Sequence, residues 1–242
     1  KTTDIGISEG VFVDPKDVAG KRGTTTLDAS GLVAFPGFVD LHAHLRQPGG
    51  EQAETILSGS QAAALGGFTA VHAMANTTPV ADTAAATDAV WRWGIEAGYV
   101  DVRPVGAVTK KLGGSELAAL STMASAAAQV RVFSDDGKCV HDSGLMREAL
   151  LQASRHGAVI AQHAQDPQLT QGADMNDGAL ASSLGLAGWP TVAEESIIAR
   201  DVLLAESVGA RLHVCHLSSA GSVEVVAWAK KRDIAVTAEV TP

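Results

Sequence analysis

The chain has 242 residues, 46% hydrophobic and 19% charged, with 25 Gly; this fits a globular protein of one large domain with or without a small appendage, and excludes disorder as the main state. A formal net charge of -9, from 18 Lys+Arg against 27 Asp+Glu, disfavours nucleic acid and anionic membrane surfaces as partners. No run approaches the roughly 18–20 apolar residues of a membrane span, no basic segment followed by an apolar run opens the sequence, and Cys139 and Cys215 are too few for a disulfide scaffold, so a cytoplasmic protein is expected.

Residues 1–37 read as short β-like pieces, Ile5–Ile7, Val11–Val13, Thr24–Leu27 and Leu32–Phe35, broken by Gly and Pro. From Phe38 the texture becomes a repeat of apolar strand, loop and Ala-rich helical segment. Strands are expected at Phe38–His42, Thr69–Met74, Val100–Val108, Val130–Ser134, Val159–His163, Arg211–His216 and Ile234–Val240. Helices are expected near Glu54–Leu65, Ala84–Ala97, Ser115–Ala128, Leu145–His156, Val192–Val208 and Ala220–Lys231, each with apolar residues at i, i+3 and i+4. Only the fifth strand is followed by a longer step, the irregular insert Ala164–Pro190.

Alternating strands and helices imply an α/β fold with a parallel sheet, whose strands are continuously apolar because helices cover them. The regular spacing suits a (β/α)8 barrel, in which reactive groups gather at the C-terminal strand ends. A doubly wound open sheet also fits the pattern, although no G-x-G-x-x-G or P-loop follows a strand.

Four of the expected strand ends carry groups able to bind a metal. The first ends in Asp40-Leu41-His42-Ala43-His44, where alternation puts His42 and His44 on one face. The fourth ends in Ser134-Asp135-Asp136-Gly137, the fifth in His163 and the sixth in Cys215-His216. A lone His at a strand end is more simply a hydrogen-bonded structural residue and the H-x-H pair fits either reading, but four such ends on one rim point to a metal site. His72, His213 and His156 are read as structural, His141 is undecided, Cys215 is read as core, and Cys139 lies in a loop with no base beside it. Imidazoles and carboxylates without clustered thiolates suit zinc or another first-row divalent ion, and hydrolysis or its reverse is the implied chemistry.

Phe35-Pro36-Gly37-Phe38-Val39-Asp40-Leu41-His42-Ala43-His44-Leu45-Arg46-Gln47-Pro48-Gly49, with Met74-Ala75-Asn76-Thr77-Thr78-Pro79, Ser134-Asp135-Asp136-Gly137 and His216-Leu217-Ser218-Ser219, closely resembles the dihydroorotases of the amidohydrolase superfamily along nearly the whole chain. The resemblance implies reversible closure of N-carbamoyl-L-aspartate to L-dihydroorotate, in pyrimidine biosynthesis. It implies two zinc ions, one on His42 and His44 and one on His163 and His216, bridged by the catalytic carboxylate Asp136, with Asp135 as the fallback. Arg46 and Asn76 match positions that grip the substrate carboxylate, in keeping with the bidentate reach of a guanidinium. Gln47 stands where the family usually has Glu, and Ala75 where it usually has Pro.

The family architecture is an eight-stranded barrel with a small β-sandwich, so residues 1–37 are expected to be part of the sandwich. Residues 38–242 would then be a barrel truncated after its seventh strand, with the general-base aspartate of the eighth strand beyond residue 242. Two other readings compete. One is a hydantoinase-like or allantoinase-like amidase, a group that commonly bridges its metals with a carbamylated lysine and lacks the Arg of H-x-H-L-R. The other is a catalytically silent scaffold for aspartate carbamoyltransferase, a group that lacks several of the histidines present here. Association of copies, as in a homodimer, is expected from the apolar surface an open barrel leaves.

Overall fold

The computed structural model describes residues 3–241, which fall into two compact units divided between Pro36 and Gly37. In the first unit, β1 (Gly6–Ser8) and β2 (Val11–Val13) pair antiparallel. Glu9 and Gly10 turn between them, both at positive φ (50° and 76°), as a tight two-residue hairpin requires. Asp14 then caps the short helix α1 (Pro15–Val18) through the Lys16 amide. The expected strands at Thr24–Leu27 and Leu32–Phe35 do not form. Leu27, Leu32 and Val33 are exposed, and strand propensity without a neighbouring ladder does not make a strand.

The second unit alternates strands and helices: β3 (Phe38–Ala43), α2 (Ile56–Leu65), β4 (Phe68–Ala73), α3 (Ala84–Ala97), β5 (Asp101–Pro104), α4 (Leu120–Ser125), β6 (Val132–Phe133), α5 (Ser143–Arg155) and β7 (Val159–Gln162). It continues with β8 (Met175–Asn176), α6 (Ala179–Leu184), β9 (Gly188–Trp189), α7 (Val192–Val208), β10 (Leu212–Val214), α8 (Ala220–Lys231) and β11 (Val236–Ala238). The helix starts follow the local chemistry. Thr55 and Ser58 form a capping box on α2, and Thr83, Asp142 and Ser219 each accept a backbone N–H at the head of α3, α5 and α8. Residues 164–190, expected to be irregular, hold α6 and the small parallel pair β8–β9.

All seven strands expected from Phe38 onward are present and parallel, in the orders β3-β4-β5 and β6-β7-β10-β11. The two sheets are stitched in sequence order by a parallel bridge from Gly106 to Phe133. There the Gly106 N–H donates to Val132 O (3.0 Å) and the Ser134 N–H to Gly106 O (2.9 Å). Glycine is required at this seam, because a Cβ on Gly106 would lie 2.8 Å from the Phe133 ring.

The expected strand over 100–108 is regular only to Pro104; the Val105 amide still donates to Ala73 O and Gly106 bridges to Phe133, and the Val108 and Thr109 amides then turn away to the Asp135 carboxylate at 2.8 and 2.9 Å. Residues 115–119 likewise stay outside the expected helix, with the Ala118 amide donating back to Val108 O.

The largest core cluster packs β6, β7, β10 and β11 against α4, α5, α7 and α8 around Phe133, Met146, Ile160, Ile198 and Leu212. Truncating any of these to alanine would cost about 2–5 kcal/mol. β10 is buried along its whole length, with His213 between two apolar residues. β3 departs from that pattern. It pairs only with β4 among the described strands, and Val39 and Leu41 remain 52% and 46% exposed.

Candidate metal centre

The C-terminal ends of β3, β6, β7 and β10 converge on the Asp136 carboxylate. One oxygen, Oδ2, lies 3.3 Å from His42 Nε2 and 3.3 Å from His44 Nε2. The other, Oδ1, lies 3.3 Å from His163 Nδ1 and 3.3 Å from His216 Nε2. The cluster is therefore two-sided: each carboxylate oxygen faces its own pair of imidazoles, and the i, i+2 spacing of His42 and His44 along β3 supplies one pair. His163 Nδ1 and His216 Nε2 are also 3.0 Å from each other while both aim at Oδ1. Two ring nitrogens that close to one oxygen are a donor set suited to a shared cation.

The groups around this cluster fix it. Ser134 Oγ accepts the Asp136 amide at 3.0 Å. Asp135 points the other way, its oxygens accepting from the Val108 and Thr109 amides and from the Thr109 hydroxyl. The outward nitrogens of three imidazoles are also held: His44 Nδ1 lies 3.0 Å from Asn76 Oδ1, His163 Nε2 2.7 Å from Gln165 Oε1, and His42 Nδ1 2.6 Å from Glu239 Oε1. His216 sits at φ 36° and Arg46 at φ 60°, left-handed conformations that cost a non-glycine residue and concentrate at functional sites.

Protonation follows from this crowding. Burial drives the Asp136 carboxyl upward, but the surrounding imidazoles outweigh it and hold the group far below the usual carboxylate range. Burial lowers His42, yet Asp136, Cys215 and Glu239 together push it up to about 12. His163 is raised in the same way, burial being outweighed by Asp136 and Gln165. Glu239 is held down to about 2 against its burial by His213 and His42. Burial raises Asp135, partly offset by Thr109 and Val108. A carboxylate beside raised imidazoles such as His42 and His163 marks a site that attracts positive charge.

The expected ligands His42, His44, Asp136, His163 and His216 are thus brought together, and Asp136 rather than Asp135 faces the imidazoles. Asn76 reaches the same cluster by way of His44. Arg46 is exposed on the loop after β3. That loop is pinned at Gly49, where a Cβ would lie 2.5 Å from Thr78 O and φ is 92°. Gln47, the departure from the family residue, accepts the Ile56 amide at the head of α2 (3.0 Å).

Two residues of the site have no assigned role in the sequence reading: Gln165, and Glu239 at the end of β11. The rule that singled out the other strand ends applies equally to Glu239. Cys215, read as core, is buried, with its Sγ grouped with ligand atoms of His42 and Glu239 that all lie within 4.8 Å of one another. Burial pushes its thiol up to about 11.

The family described as Dihydro-orotase-like matches residues 31–222. The chain is 61% identical over 240 residues to the dihydroorotase of Leifsonia xyli subsp. xyli, covering 99% of this chain and 55% of that protein. It is 62% identical to the dihydroorotase of Streptomyces coelicolor (91% and 52% covered) and 59% identical to that of Mycobacterium tuberculosis (99% and 56%). The chain thus spans about half the length of these curated relatives.

Among solved structures, an L-hydantoinase from Arthrobacter aurescens superposes with a TM-score of 0.70 at 24% identity, covering 86% of this chain and 47% of that one. A D-hydantoinase from Thermus sp. superposes at 0.66 and 25% identity, covering 93% and 50%. These likenesses show the α/β fold with its parallel strands. On its matched motifs and sequence, the chain belongs to the dihydroorotase-like family.

Proposed function

We propose that the protein is a dihydroorotase, a metal-dependent cyclic amide hydrolase that interconverts N-carbamoyl-L-aspartate and L-dihydroorotate. The observation that carries this reading is the two-sided Asp136, with His42 and His44 on one oxygen and His163 and His216 on the other. That donor set fits two divalent ions, with zinc the first choice for imidazole and carboxylate ligands. Ions bound there would supply Lewis-acid chemistry, polarising an amide carbonyl and making water acidic near neutral pH.

The chain's own residues do the rest. Asp136 carries the negative charge that holds the two halves of the centre together, and Asn76 and Gln165 orient His44 and His163. Arg46, exposed beside the centre's first strand, offers a guanidinium fork for the free carboxylate of the substrate. Seven parallel strands in sequence order, with helices between them, support a (β/α)8 barrel whose reactive rim is the C-terminal one.

Identities of 59–62% to curated dihydroorotases, against 24–25% to the hydantoinases, favour dihydroorotate over hydantoins as substrate. The presence of His42, His44, His163 and His216 around one carboxylate argues against a silent scaffold. The test is ring opening of L-dihydroorotate by the purified full-length protein, with Arg46→Ala beside it. Arg46→Ala keeps its metal and loses about 10- to 100-fold in kcat/KM, the equivalent of one charge-assisted hydrogen bond of roughly 1.5–3 kcal/mol. Unchanged turnover in the variant contradicts the role of Arg46, and turnover of hydantoin in preference to dihydroorotate contradicts the substrate.

A further inference from the structure

The outward nitrogens of the clustered imidazoles are not held alike. His44 and His163 face the neutral amide oxygens of Asn76 (3.0 Å) and Gln165 (2.7 Å). His42 faces a carboxylate, with Nδ1 2.6 Å from Glu239 Oε1. Glu239 belongs to the opposite end of the strand order, yet it is firmly placed: its N–H donates to Val214 O (3.1 Å) and its carbonyl accepts from the Leu217 N–H (2.8 Å). Its second oxygen, Oε2, is 3.2 Å from His213 Nε2, and His213 Nδ1 is 2.8 Å from the Thr237 hydroxyl. A chain of contacts therefore runs from Thr237 through His213, Glu239 and His42 to Asp136.

A metal-binding imidazole that donates its other N–H to a carboxylate is locked in one tautomer and ring orientation, and its free nitrogen is the more basic for it. We infer that Glu239 is a positioning residue of the metal centre, accepting the Nδ1 proton of His42 so that Nε2 is presented beside Asp136, while His213 and Thr237 clamp the carboxylate from behind. The inference gives a purpose to a half-buried acid that the proposed reaction does not otherwise use. It also gives one to His213, which would otherwise be a structural residue of β10. It rests on reading the His/Asp cluster as a metal centre.

The experiment is zinc titration against a competing chelator, on metal-stripped full-length protein, for the wild type and Glu239→Gln. Glutamine keeps the shape and an acceptor oxygen but removes the charge, so a merely structural role would leave zinc affinity in place. The expected result is that the variant binds one of two zinc ions about 10- to 100-fold more weakly, the range for loss of such an outer partner, with the other ion essentially unaffected. Equal affinity of both proteins for both ions overturns the inference and leaves the metal-centre reading standing. A wild type that takes up no zinc overturns both. Should the variant fold poorly, nitrogen-15 NMR of the histidine rings in the zinc-loaded wild type decides: a proton on His42 Nδ1 is expected, and one on Nε2 contradicts the inference.

Discussion

Asp135 and Asp136 are adjacent in the chain and face opposite ways at the end of β6. Asp135 turns into the protein and fastens the segment after β5 by the Val108 and Thr109 amides and the Thr109 hydroxyl; Asp136 faces the four imidazoles. The doublet thus separates holding the rim together from facing the histidine cluster.

Replacement of Asp135 by alanine strands three buried donors. It should lower stability by about 1–3 kcal/mol for the loss of a buried acceptor and leave the metal content per folded chain unchanged. Denaturant midpoints with elemental analysis check both halves, and loss of metal without loss of stability would reverse the assignment.

Asn76 and Arg46, both expected to grip substrate, should behave differently. Asn76 Oδ1 touches His44 Nδ1, whereas Arg46 is exposed on the loop after β3. Asn76→Ala is therefore expected to weaken metal binding about tenfold, at the low end for an outer-sphere partner, in addition to raising KM. Arg46→Ala is expected to raise KM alone. Chelator competition on the two variants compares them, and equal metal affinity in both would return Asn76 to the substrate alone.

A buried network behind the site carries a pH signature. Asp201 accepts from Arg200 Nε (2.8 Å) and from Gln162 Nε2 (2.9 Å), the side chain beside His163. Burial pushes its carboxyl up to about 6, a rise that Arg200 and Gln162 only partly offset. A folded pKa above the unfolded one means the folded protein binds this proton more tightly, so its contribution to stability falls as pH climbs from about 4 to about 6. Asp201→Asn should lack this component: the wild-type stability minus that of the variant declines across that window. Parallel pH profiles would contradict the shift.

Metal loading should release protons. His42 is pushed up to about 12 in the metal-free protein, and a ligand nitrogen must be unprotonated to bind. In the metal-free form a raised histidine contributes stability that is complete below its unfolded pKa, near 6.5, and is lost as pH rises toward 12. Metal binding opposes that trend, so zinc affinity rises with pH over the same range. Zinc added to weakly buffered metal-free protein at pH 7 should acidify it; no proton release would mean that His42 is not displaced from its protonated form.

The fold was readable because its signals are local and periodic. Largely apolar runs such as β7 and β10, and the i, i+3, i+4 apolar spacing of segments such as α8, place strands and helices directly. The His/Asp cluster was readable because a parallel α/β fold brings strand ends to one rim, so His42, His44, Asp136, His163 and His216 need only be found at such ends. What escaped depends on partners distant in sequence. Thr24–Leu27 and Leu32–Phe35 have strand composition but join no ladder among the described residues. The pairing of Glu239 with His42 spans 197 residues, a distance over which no periodicity speaks.

The most direct test of the account is the metal content per folded chain of the purified full-length protein, measured beside Asp136→Ala. Two divalent ions in the wild type and a large loss in the variant are predicted, because Asp136 is the carboxylate both imidazole pairs share. A wild type that is folded and carries no metal, or a variant that keeps both ions, would contradict it.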